Sequence, residues 1–395
     1  MRIGIYSEPA GSSIGGTEYT VAVLGEALAR EHRVEIVHHR PELTKSLLAT
    51  TFALNLDRLR MRQIPYDSDH RPKRRSGWRG YYGLKSWHAH LSKPYDLFIN
   101  FTHGVPPFCH AKHGVLAVLF PIFQPFNVWP WIEAAPRRPS LLPKRLQRSY
   151  FEHNWQKRLH SYQTKLAISH FAKSWTRRRW QVDSEVLYPP VETRFTDTEK
   201  TELILSVGRF SAAAIRKNQK ELVAAFCRMV DAGVCGWQFA CVGSLGDAIE
   251  DRNYYDEVCR IAPPRQSRLL ANIERAGLTK LYEQAKIFWH AAGYGQDDTA
   301  HPESMEHFGI ATVEAMAAGC VPVVINRGGQ REIVEHGVNG FLWDTLDELA
   351  GYTLRLMEDN GLRTRMSTAA RARSRAFDRN HFIAGFEDLI KPLFR

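Results

Sequence analysis

The sequence predicts an α/β protein made of two Rossmann-like, doubly wound parallel-sheet domains facing a cleft. Three observations lead there. Residues 2–37 read as strand, loop, helix and strand, the opening of a doubly wound sheet. The same rhythm restarts at Leu203, after the polar run Thr196 to Glu202. Val321 to Ile325 is a near-continuous apolar run, as in a parallel strand covered on both faces. A chain of 395 residues is long enough for each domain to have its own core.

The first domain is expected over residues 1–198. Arg2 to Tyr6 alternates Ile3 and Ile5 as a first strand, and Val34 to Val37 is the second. Between them a helix runs from about Thr17 to Arg30, with Val21, Leu24 and Leu28 on one face. The loop before that helix reads G-S-S-I-G-G and is not a dinucleotide fingerprint. Gly15 and Gly16 fit either a close backbone approach to a ligand or a plain strand-to-helix turn. Leu97 to Phe101 and Gly114 to Phe120 are further strands; the first ends near His103 and the second in Pro121. Ala167 to Val191 reads strand, helix and strand, then Pro189-Pro190, a stiff pair suited to an interdomain hinge.

Two stretches interrupt that pattern. Residues 40–95 hold Lys73-Arg74-Arg75 with Trp78, Tyr81, Tyr82 and Trp87. Residues 124–165 hold Trp129, Trp131 and Trp155 among many Lys and Arg, and Arg177-Arg178-Arg179 extends the theme. Basic residues interleaved with aromatics suit a membrane interface or a nucleic-acid groove. Over 40–95 they equally suit a solvated insertion with a few buried rings; from about Pro143 the second stretch fits either a basic amphipathic helix lying on an anionic membrane or an ordinary helix with a solvated basic face. Asp67-Ser68-Asp69 follows no apolar strand and is read as accidental. His88 with His90, and His110 with His113, lack a carboxylate or Cys at metal-ligand spacing, so no metal site is assigned.

Charge is unevenly distributed. The first 199 residues carry a net +12 and the remainder −1, within a total of +11. The excess points to an anionic partner for the first half: a membrane surface, a lipid-linked phosphate or nucleic acid. The start has no apolar signal core, and the longest apolar run, Gly114 to Phe123, is too short to span a bilayer. Six cysteines with no C-x-x-C pair fit small buried side chains and a reducing cytoplasm.

The second domain is expected over 199–375, followed by a final helix over 376–395. Leu203 to Val207 is its first strand, ending in Gly208-Arg209; Lys217 precedes the next helix. An Arg at a strand end and a Lys at a helix start can clamp a diphosphate, the first as a planar fork and the second as a point charge. Phe239 to Val242 with Gly243, and Ile287 to Ala291, are later strands. Residues 246–280 leave any nucleobase contact open.

Residues 301–343 carry the densest signal. Glu306 lies on a loop, and Gly309 opens a helix in which Ile310, Val313, Met316 and Ala317 form an apolar face, with Glu314 in its first turn. Gly319 stands where a left-handed cap belongs. Backbone amides from Phe308 through Gly309 and Ile310 to Ala311 point out of the helix start and favour an anion. Two carboxylates beside that anion site fit a ligand with a diphosphate between two polyols, as in a sugar nucleotide. A surface helix with acidic residues near its start is the alternative.

Glu306, seven residues, Glu314, then A-M-A-A-G, a Val-rich strand, Gly-Gly, E-I-V and G-x-x-G-F-L closely resemble the retaining glycosyltransferases of the GT-B fold, family 4 or "group 1". The resemblance is strongest over 281–343 and poor over 40–165. It implies that Glu306 contacts the donor sugar's hydroxyls and Glu314 the donor ribose, and that Arg209 and Lys217 hold the donor phosphates. Gly15 and Gly16 match a Gly-Gly close to the donor phosphates or acceptor, and Gly243 completes the donor-side set. Many members place a His where this chain has Pro121, so His103 is the substitute acceptor-side candidate.

The resemblance thus implies a retaining, metal-independent transfer of a hexose from a nucleotide-diphosphate sugar to a glycan or lipid-linked acceptor, with no cofactor. The setting would be cytoplasmic and peripheral to an anionic membrane. A GT-B sugar-nucleotide protein of another activity is one rival. A basic nucleic-acid-binding protein is the other, but it leaves the Glu pair and the Arg-Lys pair unexplained, and nucleic acid is not the expected partner.

Overall fold

A computed structural model describes residues 1–7, 14–64, 87–125, 154–212, 215–263 and 265–394. The Asp67–Asp69 triplet, the basic run 73–75 and Trp129 and Trp131 lie outside the described residues. The chain divides into two compact units, Met1–Tyr188 with Ile383–Arg395, and Pro189–Phe382.

The first unit is a seven-stranded sheet. Its strands are β1 (Arg2–Ser7), β2 (Arg33–His38), β3 (Arg60–Gln63), β4 (Leu97–Thr102), β5 (His113–Val118), β6 (Thr164–Ala167) and β7 (Glu185–Val186). They lie in the order β3-β2-β1-β4-β5-β6-β7 with every pairing parallel. The order reverses between β1 and β4, which makes the loops after these two strands a topological switch point. Parallel strands are sealed on both faces, and Ile3, Ile5, Leu97, Phe98 and Ile99 are buried accordingly.

The structure refines three readings of the sequence here. The helix after β1 spans Gly16–Leu28 and buries Ala22 and Val23 as well as Val21, Leu24 and Leu28, so its covered face is wider than a single stripe. Trp155, in the stretch left open between a membrane-lying helix and an ordinary one, is a core residue on the helix at 154–160, edge-on to Trp180 at 5.3 Å. Within the Arg177–Arg179 run, Arg177 and Arg178 are exposed and Arg179 is half-buried. Arg179 Nη1 donates to the Pro121 carbonyl at 3.1 Å, and both Arg178 and Arg179 lie over the Trp175 ring.

The second unit repeats the plan with six strands: β8 (Thr201–Val207), β9 (Gln238–Gly243), β10 (Ser267–Ala271), β11 (Ala285–His290), β12 (Val321–Ile325) and β13 (Phe341–Trp343). The order is β10-β9-β8-β11-β12-β13, again all parallel, with the switch point between β8 and β11. Phe226, Phe239, Trp289 and Trp343 fill its core. Lys200 is half-buried just before β8, and its Nζ donates to the carbonyls of Tyr282, Ala285 and Ala318 at 3.1, 2.9 and 2.6 Å. One ammonium thereby satisfies chain ends from three segments. The unit is pinned where it begins and ends: Val191 N donates to the Phe377 carbonyl at 2.9 Å, and Val191 bridges Asp378.

The helix Ile310–Ala317 departs from the amphipathic reading. Thr312 through Ala317 are all buried, because it packs against β11, β12 and the helix Asn360–Ser374. Glu314 lies one residue beyond its first turn, not within it. The expected cap at Gly319 does adopt positive φ, at 86°.

Candidate functional site

The second unit gathers most of the expected residues at its switch point. β8 ends at Val207, and the Gly208-Arg209 turn is held by Gln219, whose amide donates to the carbonyls of Gly208 and Arg209 at 3.0 and 2.9 Å. Arg209 is half-buried there. Gly243, at the end of β9, lies against that turn: a Cβ on it would come within 1.9 Å of the Gly208 carbonyl oxygen. Only glycine allows this approach. Lys217 crosses Gly208 in the same way, its Cγ lying 2.6 Å from where a Gly208 Cβ would be. The Arg209 turn, Gly243 and Lys217 are therefore one packed group.

Lys217 leads to Glu306. Its Nζ is 2.5 Å from Glu306 Oε2, and both side chains are less than one-fifth exposed. His290, the last residue of β11, brings Nε2 to the same oxygen at 3.0 Å. Burial alone pushes the Glu306 carboxyl up, but Lys217 and His290 outweigh it and hold the group well below its ordinary range. Glu306 is thus an anion. Burial lowers His290, partly offset by Glu306.

The helix start follows at once. Gly309 caps the helix Ile310–Ala317 with φ of 125°, a conformation that favours glycine. The first backbone bonds within the helix start at Thr312 and Val313, both to the Gly309 carbonyl. Gly309, Ile310 and Ala311 thus keep amides without a backbone acceptor among the described residues, the anion-favouring end of a helix. The Gly-Gly turn of the sequence supports this loop from behind: Gly329 N donates to the Glu306 carbonyl at 2.8 Å. Phe308 is buried edge-on to Phe377 at 5.4 Å. Glu314 is 9% exposed and accepts from Arg275 Nη2 at 2.5 Å.

Three expected residues belong to the first unit. Gly15 and Gly16 begin the helix Gly16–Leu28, and the Gly15 amide already donates to Glu18 Oε2 at 2.8 Å. Glu18 in turn pairs with the buried Arg40 at 3.4 Å. His103 follows β4, its carbonyl accepting from Ile122 N at 3.0 Å, and burial pulls its imidazole down to about 4. It is neutral at physiological pH. Among the described residues, no three His, Cys, Asp or Glu side chains gather to hold a metal, and no helix is long and apolar enough to cross a membrane.

Sequence reasoning missed His290 and Arg275. His290 carried a usable signal, being a polar residue at the carboxyl end of an apolar strand, where α/β sheets bind ligands. Arg275 carried none, since only the fold joins it to Glu314.

Residues 192–373 match the family model described as "Glycosyl transferases group 1", which covers nearly all of the second unit. Among curated relatives, the GDP-Man:Man(3)GlcNAc(2)-PP-Dol alpha-1,2-mannosyltransferase of Dictyostelium discoideum is 26% identical over 238 residues, 57% of this chain and 45% of that protein. The D-inositol 3-phosphate glycosyltransferase of Xylanimonas cellulosilytica is 37% identical over 103 residues, 26% of this chain and 24% of that protein. The chain spans less than half the length of the curated relatives it matches. A solved glycosyltransferase from Rickettsia africae superposes with a TM-score of 0.71 at 14% identity, covering 100% of this chain and 99% of that one. The fold is therefore GT-B, with a group 1 match on its second unit.

Proposed function

Starting from a GT-B chain whose second unit matches group 1 glycosyltransferases, we propose that the protein is a retaining glycosyltransferase. It moves a hexose from a nucleotide-diphosphate sugar to a glycan or lipid-linked sugar. The observation that carries this reading is the spacing of charge at the switch point. One set is cationic: Arg209 on the turn that Lys217 packs across, Lys217 itself, and a helix start with open amides; the other is two anchored carboxylates, Glu306 just before that helix and Glu314 within it. A diphosphate suits the first set and polyols on either side of it suit the second.

The chemistry follows. Transfer leaves negative charge on the departing diphosphate, and fixed positive groups aimed at that charge lower the barrier most. Arg209, Lys217 and the amides at Gly309 supply it from the protein, which supports a metal-independent reaction. Glu306 would receive the sugar hydroxyls and Glu314 the ribose. A same-face attack, with the leaving phosphate accepting the acceptor's proton, gives retention. His103, neutral near pH 7, is the acceptor-side candidate. The net +12 of the first 199 residues supports an anionic acceptor or membrane surface. The Dictyostelium relative's name, with its dolichyl-diphosphate-linked glycan, supports a lipid-linked one.

The test is calorimetric binding of nucleoside diphosphates and their sugars with chelator present. Micromolar, base-selective binding is expected and identifies the donor. Absence of binding to every member overturns the proposal.

A further inference from the structure

Glu306 receives two donors, and both land on one oxygen. Lys217 Nζ and His290 Nε2 reach Oε2, while Oε1 accepts from no described residue. One oxygen of the carboxylate is anchored and the other is presented.

The two donors differ in kind. Lys217 lies on the loop before the helix Gln219–Asp231, with 19% of its side chain exposed. Its ammonium is a point charge with rotatable donors and is drawn to any stronger anion nearby. A diphosphate bound at the helix start is such an anion. His290 ends β11 and is 3% exposed. The Ala292 amide donates to its Nδ1 at 3.4 Å, which makes Nδ1 the acceptor and leaves the proton on Nε2. That tautomer donates to Glu306 whether or not Lys217 stays.

We infer that His290 is a positioning residue: it keeps Glu306 Oε2 fixed when Lys217 turns to the donor's diphosphate, so that Oε1 remains aimed at a hydroxyl of the donor sugar. This rests on the glycosyltransferase reading. It separates two tasks that the Lys217–Glu306 ion pair joins. Diphosphate binding depends on Lys217, and recognition of the sugar depends on His290.

The experiment compares wild type, His290→Gln and His290→Leu, each with the nucleoside diphosphate and with its sugar-bearing form. Affinity for the nucleoside diphosphate stays within about twofold in all three. In His290→Leu, the affinity for the sugar nucleotide relative to the diphosphate falls about tenfold, as expected for losing a hydrogen bond to a charged group. His290→Gln, which keeps an N–H donor, recovers most of it. An unchanged ratio in His290→Leu overturns the inference, and so does an equal loss for both ligands. Failure of wild type to bind any nucleoside diphosphate sinks the glycosyltransferase reading itself, a separate outcome. A second measurement needs no variant. The ring-nitrogen NMR shifts of His290 in wild type keep the Nε2–H pattern as nucleoside diphosphate is added; a change of tautomer overturns the inference.

Discussion

Arg275 and Glu314 stand 39 residues apart in sequence, yet their side chains meet at 2.5 Å. The carboxylate is 9% exposed and the guanidinium 40%. A nearly buried anion is thus held by a cation that still reaches solvent. The arrangement fixes Glu314 before any ligand arrives, which lowers the ordering cost of using it.

Glu314→Gln is expected to weaken ribonucleoside diphosphate binding about tenfold, because a charged acceptor of hydroxyl groups is lost. The 2′,3′-dideoxy analogue should lose far less. Calorimetry with the two ligands decides it; equal losses would remove Glu314 from the ribose.

Arg209→Ala is expected to cut kcat by about a hundredfold or more, the usual effect of removing one preorganised donor to developing charge. Steady-state kinetics on the identified donor is the check. Near-normal turnover would end the phosphate-clamp assignment.

Gly243→Ala tests the packing under that clamp. Its new methyl would sit 1.9 Å from the Gly208 carbonyl oxygen, and a backbone atom cannot swing away. A destabilisation of about 1–3 kcal/mol is expected, the range for overpacking. It should be accompanied by weaker diphosphate binding, because the Arg209 turn shifts. Urea unfolding with parallel calorimetry separates the two effects.

Acid pH should expose the Glu306 pair. The folded carboxyl is held below the 4.5 of a free glutamate, so its contribution to stability is complete above pH 4.5. That contribution is lost as pH falls from there through the folded value. Urea midpoints between pH 7 and 3 should therefore drop less steeply for Glu306→Gln than for wild type. Parallel curves would show that the pair adds no pH-dependent stability.

Much of this was legible in the chain, for identifiable reasons. Runs such as Val321 to Ile325 announce buried parallel strands, because both faces must be apolar. Glu306 and Glu314 were found through an ordered motif that spans loop, helix and strand. The burial of Trp155 was hidden, because a Trp among basic residues has the same local pattern at a membrane and in a core. The apolar spacing of the helix Ile310–Ala317 predicts a two-sided helix, but its neighbours cover nearly all of it. His290 and Arg275 act across 16 and 39 residues, and no local pattern encodes such pairings.

The bond from Val191 to Phe377 has a practical side. It ties together the two ends of Pro189–Phe382, and the last residues, from Ile383, return to the first unit. In engineering language, the second unit is a cassette spliced into its neighbour through two adjacent seams. Those two seams are where excision or circular permutation of the unit would leave its own pairing of ends intact.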